Sequence, residues 1–144
     1  MSKGPYNILL VEDLDEQAAR IKSVVARVAG HRVAFQVKDA LAALGYLKGQ
    51  GDYIDRNRFP LPEIVMLDLN VPFSDHIEVL HWAQRPTLRP ALVAFSTPDR
   101  AINRGLSEKL LTDLYEPNIW SDHSLDRFLL FASNIAEAKR RHKI

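Results

Sequence analysis

The stretch "IVMLDLNVP", Ile64 to Pro72, decides how the chain is read. Four apolar residues, Ile64 to Leu67, run without a break into one carboxylate, Asp68, and a proline follows four positions later. An unbroken apolar run of this length fits a strand buried on both faces, as the strands of a parallel sheet are. Such a strand, ending in an acid and a turn, sets that acid at the rim of the sheet.

Working outward, the same kind of run recurs between helical spacings. "NILLV" (Asn7 to Val11) and "RVAFQV" (Arg32 to Val37) read as strands before the quoted one, Glu63 to Asp68. "ALVAFS" (Ala91 to Ser96) is a fourth, and "TDLYE" (Thr112 to Glu116) a poor fifth. Between the first two, Ala18, Ile21, Val25 and Val28 lie on one face of a helix over Asp15 to Ala29, which Asp15 can cap and Gly30 can end. Ala40, Ala43, Leu44 and Leu47 do the same over Asp39 to Lys48. Further helices are expected from about Asp75 to Gln84, over Asp99 to Leu111, and from Ser124 to Arg141. The stripe of the last is Leu125, Phe128, Leu129, Ala132, Ile135 and Ala136. Gly49 to Pro62 is a long polar loop with glycines and prolines. Five strands alternating with five helices make a parallel α/β sheet covered on both faces. In such sheets ligands bind beyond the carboxyl ends of the strands.

Composition narrows the classes. The 144 residues fit one domain, residues 1–144. A net charge of +1 implies no strong field for nucleic acid or membrane. With no cysteine, disulfides, thiolate catalysis and cysteine-based zinc sites are excluded. No apolar run approaches a membrane span, and no signal peptide stands at the start, so a cytoplasmic location is expected.

The first strand also ends in acids, Glu12 and Asp13. If strands one and three are neighbours, three carboxylates converge with Asp68. Two unit charges ~4 Å apart repel by about 4 kcal/mol at an effective dielectric of 20, and a hard divalent cation relieves this. Magnesium accepts two carboxylates and a backbone carbonyl while keeping several waters. The plainer alternative is that these acids are solvated helix caps, Asp13 or Asp15 serving the first helix. Two separate clusters at strand ends favour the metal. Ser96 and Thr97 close the fourth strand, either as donors to a phosphoryl oxygen or as turn residues before Pro98.

Together these residues resemble the receiver domain of two-component response regulators over nearly the whole chain. "ILLVED" resembles the family's acidic first strand, "VMLDLNVP" its phosphoacceptor strand and turn, and "ALVAFST" its hydroxyl-bearing fourth strand. The resemblance implies a flavodoxin-like doubly wound fold, five parallel strands in the order 2-1-3-4-5 flanked by five helices. It implies that Asp68 takes a phosphoryl group from a sensor histidine kinase. Asp13 would be a direct Mg²⁺ ligand, Glu12 would hold the ion through water, and the Asn70 carbonyl would complete the protein ligands. Ser96 would be the switch hydroxyl. The expected protein is not an enzyme. It signals through a downstream protein, with a homodimer left open and no nucleic acid or membrane partner. The chain stops after its last helix, so no output domain is expected. The loop from Gly49 to Pro62 resembles that of stand-alone receivers partnered with phytochrome-type kinases.

Three departures stand out. Glu116, before Pro117, occupies the place of the family's lysine and reverses its charge. The segment from Ser96 to Glu116 is about two residues short, with Asp113 where an aromatic is usual. His76 stands where glycine is frequent. Glu116 motivates an alternative, a receiver-like interaction module that works without phosphorylation. If Glu116 points inward, four carboxylates share the site, and Arg100 or Arg104 could lessen the charge by reaching the phosphoryl oxygens; otherwise it faces solvent. A metal-dependent phosphatase using Asp68 is disfavoured, because "DLN" has no second acid two positions on. "AKRRHK" (Ala138 to Lys143) suits a helix C-terminus, where the macrodipole favours cations. Trp82 is expected to pack on the sheet, and Trp120 to be a candidate partner anchor.

Overall fold

Tyr6–Val11 (β1), His31–Val37 (β2), Ile64–Asp68 (β3), Ala91–Phe95 (β4) and Leu114–Glu116 (β5) pair in parallel as one sheet, in the order β2-β1-β3-β4-β5. The structure, a computed structural model, describes residues 5–69, 90–96, 113–116, 119–120 and 123–141. The described helices are Asp15–Arg27 (α1), Ala40–Lys48 (α2) and Ser124–Arg141 (α3). The helices expected near 75–84 and 99–111 lie outside the described residues, as do Asn70, His76, Trp82, Thr97, Arg100, Arg104 and Pro117. The strand order is the one the resemblance implied.

The central strands carry the register that builds the site. Every residue of β3 and β4 is buried. Val11 pairs with Leu67 and Asp68 with Phe95, so the ends of β1, β3 and β4 emerge at one rim. The sheet separates two cores. Ile8, Leu10, Met66, Val93 and Phe95 face α1 and α3, meeting Ile21, Val25, Phe128 and Leu129. Leu9, Val11, Val65, Leu67 and Leu92 face α2, meeting Ala43, Leu44, Tyr46 and Leu47.

β2 does not alternate evenly. Ile8 pairs with Val33 but Leu9 pairs with Phe35, leaving Ala34 as an extra residue. A bulge of this kind shifts which face the following side chains take. Val33 accordingly packs with the α1–α3 core and Phe35 with the α2 core.

Helix ends differ from the sequence expectation in instructive ways. The cap position of α1 is Leu14, not Asp15, and no side chain caps it from there. Asp15 is instead paired with Lys38 across exposed surface, a contact worth little in stability. At α2 the expected Asp39 does cap, its Oδ1 accepting from the Ala42 amide at 2.7 Å. β5 begins at Leu114, so Asp113 of the expected span from Thr112 to Glu116 stands outside it, and Thr112 lies outside the described residues. Asp113 precedes it, accepting from the Leu92 amide at 2.8 Å and from Lys139 Nζ at 2.7 Å. The acid in the place of an aromatic therefore ties the start of β5 to β4 and α3.

The loop after α2 is more ordered than its polar composition suggests. A short 3-10 turn spans Gly51–Tyr53. Phe35, Tyr46, Tyr53 and Phe59 form an aromatic cluster, with the Phe35–Phe59 ring centroids 5.3 Å apart at 84°. Arg56 closes it. Its guanidinium donates to the carbonyls of Tyr46 at 2.9 Å, Leu47 at 2.9 Å and Phe59 at 3.1 Å. Leu47 O has no partner within α2, Tyr46 O also accepts from the capping Gly49 amide at 3.1 Å, and Phe59 O lies in the loop. Arg56→Ala should therefore lower stability by roughly 2–3 kcal/mol, measured by urea unfolding, because a charged donor to several carbonyls is lost at once. A change under about 0.5 kcal/mol would mean water serves those carbonyls equally well.

Candidate metal and phosphoacceptor site

The rim of the sheet gathers three acids. Glu12 and Asp13 follow β1, and Asp68 ends β3 beside it. Each offers a carboxylate oxygen within 4.8 Å of those of the other two. Glu12 and Asp68 are fully buried, and Asp13 is half-buried. Three acids this close, two of them away from water, are costly unless a proton or a cation intervenes. Without a cation, burial and a hydrogen bond to the Asp68 carboxyl push the Glu12 carboxyl up to about 8. The donor set is all oxygen and rich in charge, which fits a hard divalent ion.

Glu12 is held with particular care. Its Oε1 accepts from Gln17 Nε2 at 2.8 Å, and its Oε2 from the Leu14 amide at 3.1 Å. Its own amide donates to Val37 O at 2.9 Å, and its carbonyl accepts from Gln36 Nε2 at 3.0 Å. Sequence reasoning passed over Gln17 and Gln36. The only available signal for Gln17 was an amide one turn into the helix that follows the acids.

Ser96 is fully buried, one residue beyond the Asp68–Phe95 pair, and its amide donates to Glu116 O at 3.0 Å. Glu116 thus reaches the rim through its backbone. Its side chain is partly exposed and lines a separate cavity of about 190 Å³ with Leu114, Ser124, Arg127, Phe128 and Phe131. Among the described residues it is not one of the three convergent acids. The inward arrangement of four carboxylates is not what the structure shows. Trp120 is half-buried, with the Arg20 guanidinium 3.9 Å from its ring centre, a cation–π stack that joins the segment after β5 to α1. A cleft of about 520 Å³, lined by Asp13, Leu14, Glu16, Gln17 and Arg20 among others, opens beside the acids.

A sheet in the order 2-1-3-4-5 with acids at the ends of its first and third strands is the arrangement of response-regulator receiver domains, and the chain belongs to that family. It is 35% identical over 89 residues to the response regulator Rcp1 of Synechocystis sp.. That match takes in 61% of this chain and 58% of Rcp1, so it spans less than two thirds of that relative. Solved structures extend the likeness. The phosphorylated cyanobacterial phytochrome response regulator RcpA is 30% identical with a TM-score of 0.62, over 92% of this chain and 91% of that one. The Mn²⁺-bound form of Rcp1 is 29% identical with a TM-score of 0.62, over 91% of both chains. No family model matches the chain. Among the described residues, no helix is long and apolar enough to cross a membrane.

Proposed function

We propose that residues 1–144 form a stand-alone receiver, phosphorylated on Asp68 by a sensor histidine kinase and signalling by protein–protein contact in the cytoplasm. The observation that carries this is the buried Asp68 carboxylate at the end of β3, with the oxygens of Glu12 and Asp13 within 4.8 Å. Rcp1 has a Mn²⁺-bound form and RcpA a phosphorylated one, which supports the same chemistry here. Glu12, Asp13, Asp68 and the Asn70 carbonyl would hold Mg²⁺. When bound, the ion supplies positive charge for the oxygens of a transferring phosphoryl group.

The residues of the chain do the rest. β3 fixes Asp68, so an oxygen of its carboxylate can meet phosphorus in line. The new O–P bond forms as the P–N bond to the kinase histidine breaks, and the electron pair leaves with the imidazole. Burial excludes water from the acyl phosphate that results. Ser96 is the hydroxyl that would meet the new phosphoryl oxygens. The test is transfer from a histidine kinase, or from acetyl phosphate with Mg²⁺. One acid-stable, base-labile phosphoryl group per chain is expected. Native protein that takes none from any donor would favour the second reading, a phosphorylation-independent module. Glu116 motivates that reading, since no lysine stands at its position.

Glu116 also yields a prediction. Because its carboxylate lies apart from the three acids, Glu116→Gln should change the Mg²⁺ affinity by less than about threefold, screened at physiological salt. Isothermal titration measures this, and a tenfold loss would place Glu116 within the ion's field.

A further inference from the structure

We infer that Gln17 is a positioning residue for the ion site, acting through the Glu12 carboxylate. The inference rests on the divalent-ion reading above and adds a residue that the reading does not contain. Gln17 lies in the first turn of α1 and is partly buried. It lines the cleft beside Asp13 and Arg20, between that open space and Glu12. Its Nε2 donates to Glu12 Oε1 at 2.8 Å while the Leu14 amide takes Oε2 at 3.1 Å. The start of α1 therefore grips both oxygens of one carboxylate. Glu12 is fully buried, so water does not replace the amide if it is lost.

The chemistry of the side chain fits this task. An amide donates to a carboxylate without adding charge. A lysine in its place would repel the cation, and a glutamate would set an acceptor against an acceptor. The grip is also separable from the rest of the turn. The backbone of Glu12 is fixed independently, by Val37 O at 2.9 Å and by Gln36 Nε2 at 3.0 Å. Removing the Gln17 amide should free the orientation of the Glu12 carboxylate and leave its main chain in place. Side chains that orient metal ligands in this way typically govern affinity by ten- to a hundredfold.

The experiment is a double-mutant cycle on the full chain with Mg²⁺ as the probe. Gln17→Met keeps the length and helix preference of the side chain and removes its donor. Dissociation constants come from isothermal titration, and thermal unfolding in chelator reports the fold of each variant. We expect Gln17→Met to weaken Mg²⁺ binding by about tenfold in the native background. In a Glu12→Gln background it should weaken binding by less than about twofold, because the effect passes through Glu12. Gln17→Ala gives the same test should Gln17→Met fail to fold. A native chain that binds no Mg²⁺ overturns both the ion reading and this inference. A native chain that binds Mg²⁺, with Gln17→Met either neutral or equally harmful in both backgrounds, overturns this inference alone.

Discussion

Asp68→Asn should abolish phosphorylation, taking the label from one phosphoryl group per chain to background. An amide oxygen is a poor nucleophile, and the substitution also removes one of the three charges that attract the ion. The shape of the side chain is kept, so loss of label would not come from lost packing. Asp68 is fully buried and hydrogen-bonded to Glu12. Asparagine can keep a hydrogen bond to Glu12 and relieve repulsion, so the ion-free variant should unfold at a higher temperature than the native chain. Phosphate transfer followed by mass spectrometry of peptides reads the first effect, and calorimetry the second. Label persisting in the variant would put the acceptor elsewhere in the chain.

Magnesium affinity should climb steeply with pH. The Glu12 carboxyl is raised from 4.5 to about 8 by burial and by its hydrogen bond to Asp68. Below about 8 the ion must displace that proton, so the association constant should rise by up to ~tenfold per pH unit and level off above it. From pH 6 to pH 8 the gain is about 50-fold if one proton is released per ion. The effect on ion-free stability has the opposite sense. Between 4.5 and about 8 the folded state holds a proton that the unfolded chain has lost. The stability of the ion-free chain is therefore fully present below 4.5 and declines as pH rises toward about 8. Saturating Mg²⁺ should reverse the decline. Glu12→Gln should flatten both profiles; slopes that survive that change would assign the proton to another group.

Sequence reading went furthest where burial imposes one pattern. β3 and β4 are buried on both faces, which favours continuous apolar runs, and the expected spans Glu63 to Asp68 and Ala91 to Ser96 each miss the observed strand by one residue at one end. α3 was legible in its bounds and most of its stripe: Leu125, Phe128, Leu129, Ala132 and Ala136 are buried and Ile135 partly so, while the buried Ser133 was not expected. The acids were legible as well, since strand ends in a parallel sheet share one rim. What escaped was held by polar groups whose partners lie far away in the chain. Tyr46 reads as a surface residue of α2, yet it is fully buried, with its hydroxyl reaching Pro60 O at 2.8 Å. Arg56 looks like an ordinary loop cation until α2 ends beneath it. Glu116 was undecidable from sequence, because a strand of three residues has too few side chains to reveal which way it faces.

The extra residue in β2 has a consequence for how the chain can be varied. A strand is written in two alternating letters, one for each side of the sheet, and Ala34 shifts the reading frame partway along. Upstream of it, Val33 is spelled for the α1–α3 side; downstream, Phe35 and Val37 are spelled for the α2 side. The same shift turns Gln36 toward α1, where Lys22 Nζ holds its Oε1 at 2.8 Å and its amide reaches the Glu12 carbonyl. Deleting Ala34 would thus leave both readings in frame, with Val33 opposite Ile8 and Phe35 opposite Leu9. Drawing Ala34 into the pairing instead would transpose every later letter, sending Phe35 out of the aromatic cluster and Gln36 away from the acidic turn. The two ends of β2 are separate words that answer to separate partners, and a one-residue slip between them acts on both the core and the acidic rim.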